Sequence, residues 1–261
     1  MLNNFCNLTY VNQKQILDSL ANEKNSMQGI QSHFDPIQVA MIYKDIRISL
    51  ICALFAYGSA KQIVSFLKKI DFSVLDDTKK IEKLKLKYRF QNEEDVRQIL
   101  LTLSKISSQE IKDICENAYL KNHFMLDAIN ALIDKLYSLN PYHSNGYEFY
   151  FGKSSQKPTS AYKRYNMFFR WMVRCDELDF GLFDKINTKD LLIPLDTHTH
   201  AMGLKLGLID RKQADFKAVL ELTNALKRYD ENDPIRYDFA LYRIGQEDFL
   251  QSSKNPQMSL V

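Results

Sequence analysis

The chain contains, over residues 194–208, the stretch Pro194-Leu195-Asp196-Thr197-His198-Thr199-His200-Ala201-Met202-Gly203-Leu204-Lys205-Leu206-Gly207-Leu208, which carries signals for both ends of a helix. Asp196 is suited to the N-cap, because an aspartate side chain accepts hydrogen bonds from the backbone N–H groups of the first helical turn. Gly207 is suited to the other end, since glycine readily adopts the backbone conformation that follows a last helical turn. The pattern therefore predicts a helix over 197–206 that begins after Asp196.

Helical periodicity also dominates the rest of the chain. Apolar residues recur at steps of three and four, as they do on the buried face of an amphipathic helix. An alternating strand pattern does not persist anywhere, so the sequence predicts an all-α fold. The other predicted helices cover 43–57, 60–70, 94–106, 108–120, 123–139, 160–174, 212–229 and 233–244.

Two stretches interrupt this pattern and bear on the organisation of the chain. The segment 140–158 is rich in Tyr, Ser, Gly, Asn and Pro, which predicts a long loop. The lysine-rich stretch 79–88 is interpreted as a solvated helical face, with a phosphate-contacting surface as the alternative. We expect two helical subdomains with a cleft between them, one formed by 1–45 with 160–261 and the other by 46–159.

Composition limits the class of protein. The chain has 261 residues, 45% of them hydrophobic, and 35 Lys and Arg against 32 Asp and Glu give a net charge of +3. It is too apolar for a disordered protein, and its apolar runs are too short for a membrane span, so we expect a cytoplasmic protein without membrane contact. Its four cysteines are scattered without a C-x-x-C pair, which predicts reduced thiols.

The helix predicted over 160–174 carries a row of basic residues. Lys163, Arg170 and Arg174 follow steps that place them on one helix face. Positive neighbours favour the neutral amine of a lysine, which is its nucleophilic form, and the alternative is an ordinary basic surface. His198 and His200 are two positions apart on a helix and point in different directions, so we expect no metal site.

The segment around Asp196 resembles part of a known enzyme superfamily. Leu195-Asp196-Thr197-His198, followed by Leu206-Gly207-Leu208, is similar to the V-D-T-H-…-R-L-G-L segment of the helix-hairpin-helix DNA glycosylases, the endonuclease III-like enzymes. The stretches 50–62 and 237–245 also fit that superfamily. More closely, the span 35–245 resembles an uncharacterised bacterial family within it.

Three local features differ from the superfamily pattern. The usual enzymes carry their lysine in a glycine-rich hairpin shortly before the aspartate, whereas 176–182 has neither a lysine nor that hairpin. Lys163 instead lies 33 positions before Asp196, which is similar to the archaeal 8-oxoguanine DNA glycosylase branch. Ala201 stands where the superfamily usually has Arg, and the absence of the four-cysteine loop excludes the iron–sulfur subtype.

The resemblance implies a DNA glycosylase and AP lyase that excises 8-oxoguanine from double-stranded DNA without a cofactor. It implies a flipped-out base, Lys163 as the nucleophile that forms a Schiff base before β-elimination, and an anionic Asp196 that stabilises the sugar cation. The alternatives are a glycosylase for another damaged base, a lyase for abasic sites alone, or a helical nucleic-acid-binding protein without catalysis. We expect a monomer associated with the nucleoid.

The other candidate site residues form two sets. The resemblance implies that Asp238 contacts the base, and the alternative for this carboxylate is a salt bridge to Arg170, Arg174 or Arg236. Core packing is the alternative for the aromatic candidates, and solvent exposure is the alternative for the basic ones. The further candidate base contacts are Arg170, Gln62, Tyr57, Tyr242, Trp171 and Phe55, and the candidate phosphate contacts are Lys205, Lys212 and Arg164.

Overall fold

The structure, a computed structural model, describes residues 5–31 and 33–254, and of 250–254 only the backbone. These residues form helices without a β-strand, so the prediction of an all-α fold is confirmed. No helix among them is both long and apolar enough to cross a membrane. In chain order the α-helices are α1 (Tyr10–Lys24), α2 (Met27–Gln31), α3 (Ile37–Tyr43), α4 (Ile46–Leu54), α5 (Ala60–Leu67), α6 (Thr78–Glu82), α7 (Glu93–Ser104), α8 (Ser108–Asn122), α9 (Met125–Ser138), α10 (Asn145–Phe151), α11 (Lys163–Val173), α12 (Thr197–Lys205), α13 (Phe216–Lys227) and α14 (Asp238–Lys254).

The residues group by their contacts into two compact units. The first unit takes its described residues from Met1–His33, Pro158–Arg170 and Asn187–Val261. Its last helix, α14, packs against both α12 and α1, and α13 packs against a short 3-10 helix, Pro234–Tyr237. Burial of apolar side chains from these helices gives the unit its own core. The buried apolar side chains include Leu17, Leu195, Met202, Val219, Leu222, Ile235 and Leu241.

The second unit consists of Phe34–Lys157 and Trp171–Ile186. Within it α8 packs against α9 and α4, and α7 packs against α6 and α10. The expected division of the chain differs from this one at three places, since residues 34–45 and 171–186 group with the second unit and residues 158–159 with the first. An aromatic cluster forms part of its core, with Phe55 in contact with the rings of Phe66, Tyr88 and Tyr150.

The loop predicted over 140–158 was wrong in its middle, because it contains α10. Ser144 caps this helix by accepting a hydrogen bond from the backbone N–H of Tyr147. The buried carboxylate of Asp95 in turn accepts hydrogen bonds from the hydroxyl groups of Ser144 and Tyr142. Contacts from outside the segment therefore stabilise a helix that its own composition does not favour.

The helix predicted over 79–88 was also wrong, since α6 ends at Glu82. The chain then continues without a helix or strand, and its lysines are exposed while Leu84 and Leu86 are half-buried. The helix predicted over 160–174 begins three residues late, because Tyr162 has a φ of +47°, outside the helical region. The helix predicted over 233–244 is instead the 3-10 helix Pro234–Tyr237 followed by α14, which continues to Lys254. Residues 255–261 lie outside the described residues.

Candidate active site

Asp196 occupies the N-cap of α12, as the sequence predicts. Its Oδ1 accepts hydrogen bonds from the backbone N–H groups of His198 and Thr199, both at 2.9 Å. The side chain is 14% exposed. Two N–H donors and the positive end of the helix dipole therefore face this carboxylate.

Lys163 is the first residue of α11, and its amine reaches the same carboxylate. The Nζ atom lies 3.6 Å from Oδ2 of Asp196, and the lysine side chain is 33% exposed. The left-handed Tyr162 before it is held by a hydrogen bond from its backbone N–H to Oγ of Ser160, at 3.3 Å. The structure thus brings together the two residues that the resemblance makes catalytic, both of them in the first unit.

Hydrogen bonds between side chains and the backbone link the start of α11 to the segment that precedes α12. The side-chain amide of Asn166 donates hydrogen bonds to the carbonyl groups of Ala161, at 3.1 Å, and Ile193, at 3.4 Å. The backbone N–H of Ile193 donates to Oγ1 of Thr223 on α13, at 3.1 Å. The segment 191–195 that leads to Asp196 is buried throughout. The backbone at Lys163 and at Asp196 is therefore held in place by these hydrogen bonds and by burial.

This arrangement supplies an amine, an adjacent proton acceptor and partial access to solvent. One carboxylate oxygen is held by the helix, and the other faces the amine, where it can accept a proton from the ammonium group. Loss of that proton gives the nucleophilic amine. Among the described residues no three His, Cys, Asp or Glu side chains are grouped so that they could hold a metal ion.

Arg170 and Asp238 form a second, buried ion pair in the first unit. Nη1 of Arg170 lies 2.7 Å from Oδ2 of Asp238, and the two residues are 4% and 6% exposed. The salt-bridge alternative for Asp238 is therefore confirmed, while its contact with a base stays a prediction. Arg174, in the second unit, is also buried and pairs with Asp176 and Asp179, so the alternative of a basic surface is wrong for both arginines.

The aromatic candidates differ in their exposure. Phe55 and Trp171 are 0% and 3% exposed in the second unit, as the packing alternative expects, and this corrects their assignment as base contacts because neither ring has an open face. Gln62, on α5, is exposed and Tyr57 is half-buried in that same unit. Tyr242 of the first unit is half-buried, with its ring 5.9 Å from that of His198 at the start of α12.

The three candidate phosphate contacts are also unlike one another. The amine of Lys205 lies 2.6 Å from Oδ1 of Asp248, so its charge is already balanced by a carboxylate. Lys212 is exposed, and Arg164, on α11 beside Lys163, is half-buried. Their contact with phosphate stays a prediction for all three.

A cleft of about 290 Å³ in the first unit shares no lining residue with the Lys163–Asp196 pair. Lys24, which lines it, pairs with Glu23 and Glu247 at 3.1 and 3.3 Å. Burial and the nearby charge of Arg243 lower the pKa of the His33 imidazole in its wall. Because charges of both signs balance there, the cleft does not indicate a ligand of one charge.

Sequence reasoning missed Asn166 and Thr223, the residues that position the pair. Asn is a poor helix former because its side chain competes with the backbone for hydrogen bonds. Its place inside the predicted helix was therefore a signal of a tertiary contact. Thr223 carries no such signal, since a threonine in an amphipathic helix is ordinary.

The described residues thus define an all-helical protein with a lysine–aspartate pair between two helix starts. The chain belongs to the family described as Protein of unknown function (DUF2400), whose model matches residues 35–247. Neither a curated protein nor a solved structure matches the chain. The resemblance to the DNA glycosylases therefore rests on the sequence motifs alone.

Gly245 on α14 allows the close approach of the helix that Asp196 caps. A Cβ at this position would lie 2.7 Å from the backbone oxygen of His198. We expect Gly245→Ala to lower the free energy of unfolding by about 1–3 kcal/mol, because backbone atoms must move to admit the methyl group. Urea unfolding measures this change. Gly203→Ala is the matched control, since its Cβ would meet side-chain carbons at 3.3 Å or more, and an equal loss there contradicts the explanation.

Proposed function

We propose that the protein is a DNA glycosylase and AP lyase that removes 8-oxoguanine from double-stranded DNA. The observation that supports this proposal is the 3.6 Å approach of the Lys163 amine to the carboxylate that caps α12. A lysine amine activated by a neighbouring base is a general means of forming a covalent intermediate with a sugar carbon. The helix-hairpin-helix architecture and the division into two subdomains with a cleft are part of this proposal.

The reaction begins with a proton transfer from the Lys163 ammonium group to Asp196 or to solvent. The neutral amine attacks C1′ of the flipped-out nucleotide, and the bond from C1′ to the base breaks with its electron pair going to the base. The base takes up the proton that Asp196 or solvent received, so that Asp196 is again anionic. The bond from C1′ to O4′ then breaks, a proton passes from the amine nitrogen to O4′, and the opened sugar carries a protonated Schiff base. Loss of a proton from C2′ then expels the 3′ phosphate by β-elimination. Asp196 stabilises the positive charge that develops on the sugar.

The proposal gives the remaining candidates supporting roles. Asp238, whose side chain is 8% exposed, contacts the oxidised guanine through an oxygen of the carboxylate that also holds Arg170, and it does so only after the residues that cover it move aside. Arg164 and Lys212 contact phosphates beside the damaged nucleotide, and Lys205 does so only after its contact with Asp248 breaks. Phe55 and Trp171 have no part in base binding, because their rings are buried.

Trapping with borohydride tests the covalent step. Wild-type protein, mixed with a duplex that contains 8-oxoguanine and with sodium borohydride, is expected to yield a reduced protein–DNA adduct, visible as a shifted band on a denaturing gel. Lys163→Gln is expected to give none, since the amide cannot form a Schiff base. Lys189→Gln, a change at an exposed lysine of the same unit, is the control and keeps the adduct.

A panel of lesion duplexes distinguishes the alternatives. Release of 8-oxoguanine by wild type supports the proposed substrate, whereas release of a different damaged base changes the lesion but keeps the enzyme class. An adduct with abasic duplexes alone leaves only a lyase, and base release without an adduct leaves a monofunctional glycosylase. Binding without release or adduct contradicts the proposal and assigns the protein to the non-catalytic class.

A further inference from the structure

A tight turn in the second unit carries two side chains at its tip. Tyr88 and Gln91 exchange both backbone hydrogen bonds, with N···O distances of 2.9 and 2.8 Å. Arg89 and Phe90 are the two residues between them. Arg89 has a φ of +49°, a left-handed conformation that a residue other than glycine keeps only where the surrounding structure holds it.

The base of this turn is anchored in the second unit. The hydroxyl of Tyr88 donates to the carbonyl of Tyr57, and the side-chain amide of Gln91 donates to the carbonyl of Gly146, both at 2.7 Å. Tyr88 and Gln91 are buried. A Cβ on Gly146 would lie 2.7 Å from the carbonyl oxygen of Phe90, so glycine permits the close seat of the turn on α10. The backbone of Arg89 and Phe90 is therefore held in place by the anchored residues on either side of it.

Phe90 is 57% exposed although it lies beside other aromatic rings. Its ring centroid is 6.2 Å from that of Tyr57, with 15° between the ring planes, and 4.7 Å from that of Phe149. The guanidinium carbon of Arg89 lies 5.4 Å from the Phe90 centroid. An aromatic ring that packs on one side against Tyr57 and Phe149, with a cation beside it, is thus open to solvent and accessible to a planar ligand.

The chain that leads to the turn extends this positive surface. Lys83, Lys85 and Lys87 are exposed, while Leu84 and Leu86 between them are half-buried, the alternation of an extended segment. The salt bridges found among the described residues include none of these three lysines. A row of cations therefore leads to the exposed ring.

We propose that Lys83, Lys85, Lys87, Arg89 and Phe90 form a binding surface for single-stranded nucleic acid. A base stacks on Phe90, and the phosphates on either side of it contact the basic side chains. Aromatic stacking next to cations is the general way in which proteins hold single strands without reading their sequence. The surface lies wholly in the second unit and shares with the proposed function only the kind of ligand.

Fluorescence anisotropy with a labelled thymidine oligonucleotide tests the stacking contact on the full chain. Phe90→Ala is expected to weaken binding about 5- to 100-fold. The control is Phe34→Ala, which removes an equally large ring that is 49% exposed in the same unit, and it is expected to bind as wild type. Wild-type affinity of Phe90→Ala overturns the proposal, as does a defect confined to self-association, which would assign the ring to a second copy of the chain.

Salt dependence tests the phosphate contacts. Replacement of Lys83, Lys85 and Lys87 by Gln is expected to reduce the slope of log affinity against log salt by about 2, since each phosphate contact on a single strand contributes about 0.7. The control replaces the exposed lysines Lys44, Lys121 and Lys189 by Gln, with the same change in net charge, and is expected to keep the slope. Equal slopes for the two triple variants overturn the proposal.

Two further measurements distinguish single-strand binding at this surface from duplex binding and from binding at the Lys163–Asp196 site. Phe90→Ala is expected to bind an undamaged duplex as wild type does, because paired bases do not offer a face to the ring, and an equal loss on duplex overturns the assignment to single strands. Lys163→Gln is expected to keep full affinity for the thymidine oligonucleotide. If the proposed catalysis at Lys163 fails, the test of single-strand binding at Phe90 is unaffected. If single-strand binding at Phe90 fails, the test of catalysis is equally unaffected.

Discussion

Asp196→Asn is expected to reduce the rate of base release by about 10²–10⁴-fold while the protein stays folded. Asn caps a helix about as well as Asp, so the hydrogen bonds to His198 and Thr199 can persist and the capping cost stays below about 1 kcal/mol. The amide cannot accept the lysine proton, and it supplies no negative charge to the sugar cation. Single-turnover release of 8-oxoguanine measures the rate, and urea unfolding measures the stability.

Asp215→Asn is the matched control for this experiment. Asp215 caps α13 and, like Asp196, its carboxylate lies beside a cation, here Arg211. The variant keeps a comparable cap and loses a comparable ion pair, but it is expected to release base at the wild-type rate. If Asp196→Asn keeps its rate, or if it unfolds while Asp215→Asn does not, Asp196 has a structural role only.

Asp238→Ala is expected to lower the free energy of unfolding by about 3–5 kcal/mol, because it leaves the buried guanidinium of Arg170 without its carboxylate. Asp248→Ala is the control on the same helix. It breaks an ion pair with Lys205 in which the side chains are 44% and 36% exposed, and it should cost about 1 kcal/mol or less. Urea unfolding of both variants gives the comparison.

A double replacement separates loss of the pair from loss of one partner. Arg170→Met combined with Asp238→Leu removes both charges, and we expect it to recover most of the stability lost in Asp238→Ala. No recovery would mean that the cost comes from packing around α14 and not from an unpaired charge. Near-equal stability of Asp238→Ala and Asp248→Ala would contradict the burial argument itself.

The helices that could be predicted from the sequence are those whose signals are local. Asp196 caps α12 because the residue type and the following turn suffice, and the same holds for the amphipathic helices of the second unit. α10 depends on Asp95, which lies about fifty positions away, so its own segment carried only loop signals. The extended chain after Glu82 was missed because closely spaced lysines suit an exposed helix as well as an exposed strand-like segment.

The residues of the candidate site also differ in how much of their arrangement local sequence signals could predict. Lys163 and Asp196 were identified by resemblance, and nothing in a spacing of 33 positions fixes the distance between two helix starts. The pairing of Arg170 with Asp238 was one of two alternatives, because a carboxylate inside an apolar helix needs a donor but does not specify which one. Phe90 gave no signal, since exposure of an aromatic residue depends on the turn that carries it.

The interleaving of the first unit sets the order in which the protein can form during synthesis. Most of the second unit, Phe34–Lys157, leaves the ribosome as one continuous length, whereas the packing of α1 against α14 must wait until α14 has been made. Because α12 also packs against α14, the support behind Asp196 is completed only when the last helix has emerged from the exit tunnel. A nascent chain therefore carries Lys163 and Asp196 without their final arrangement until α14 has emerged.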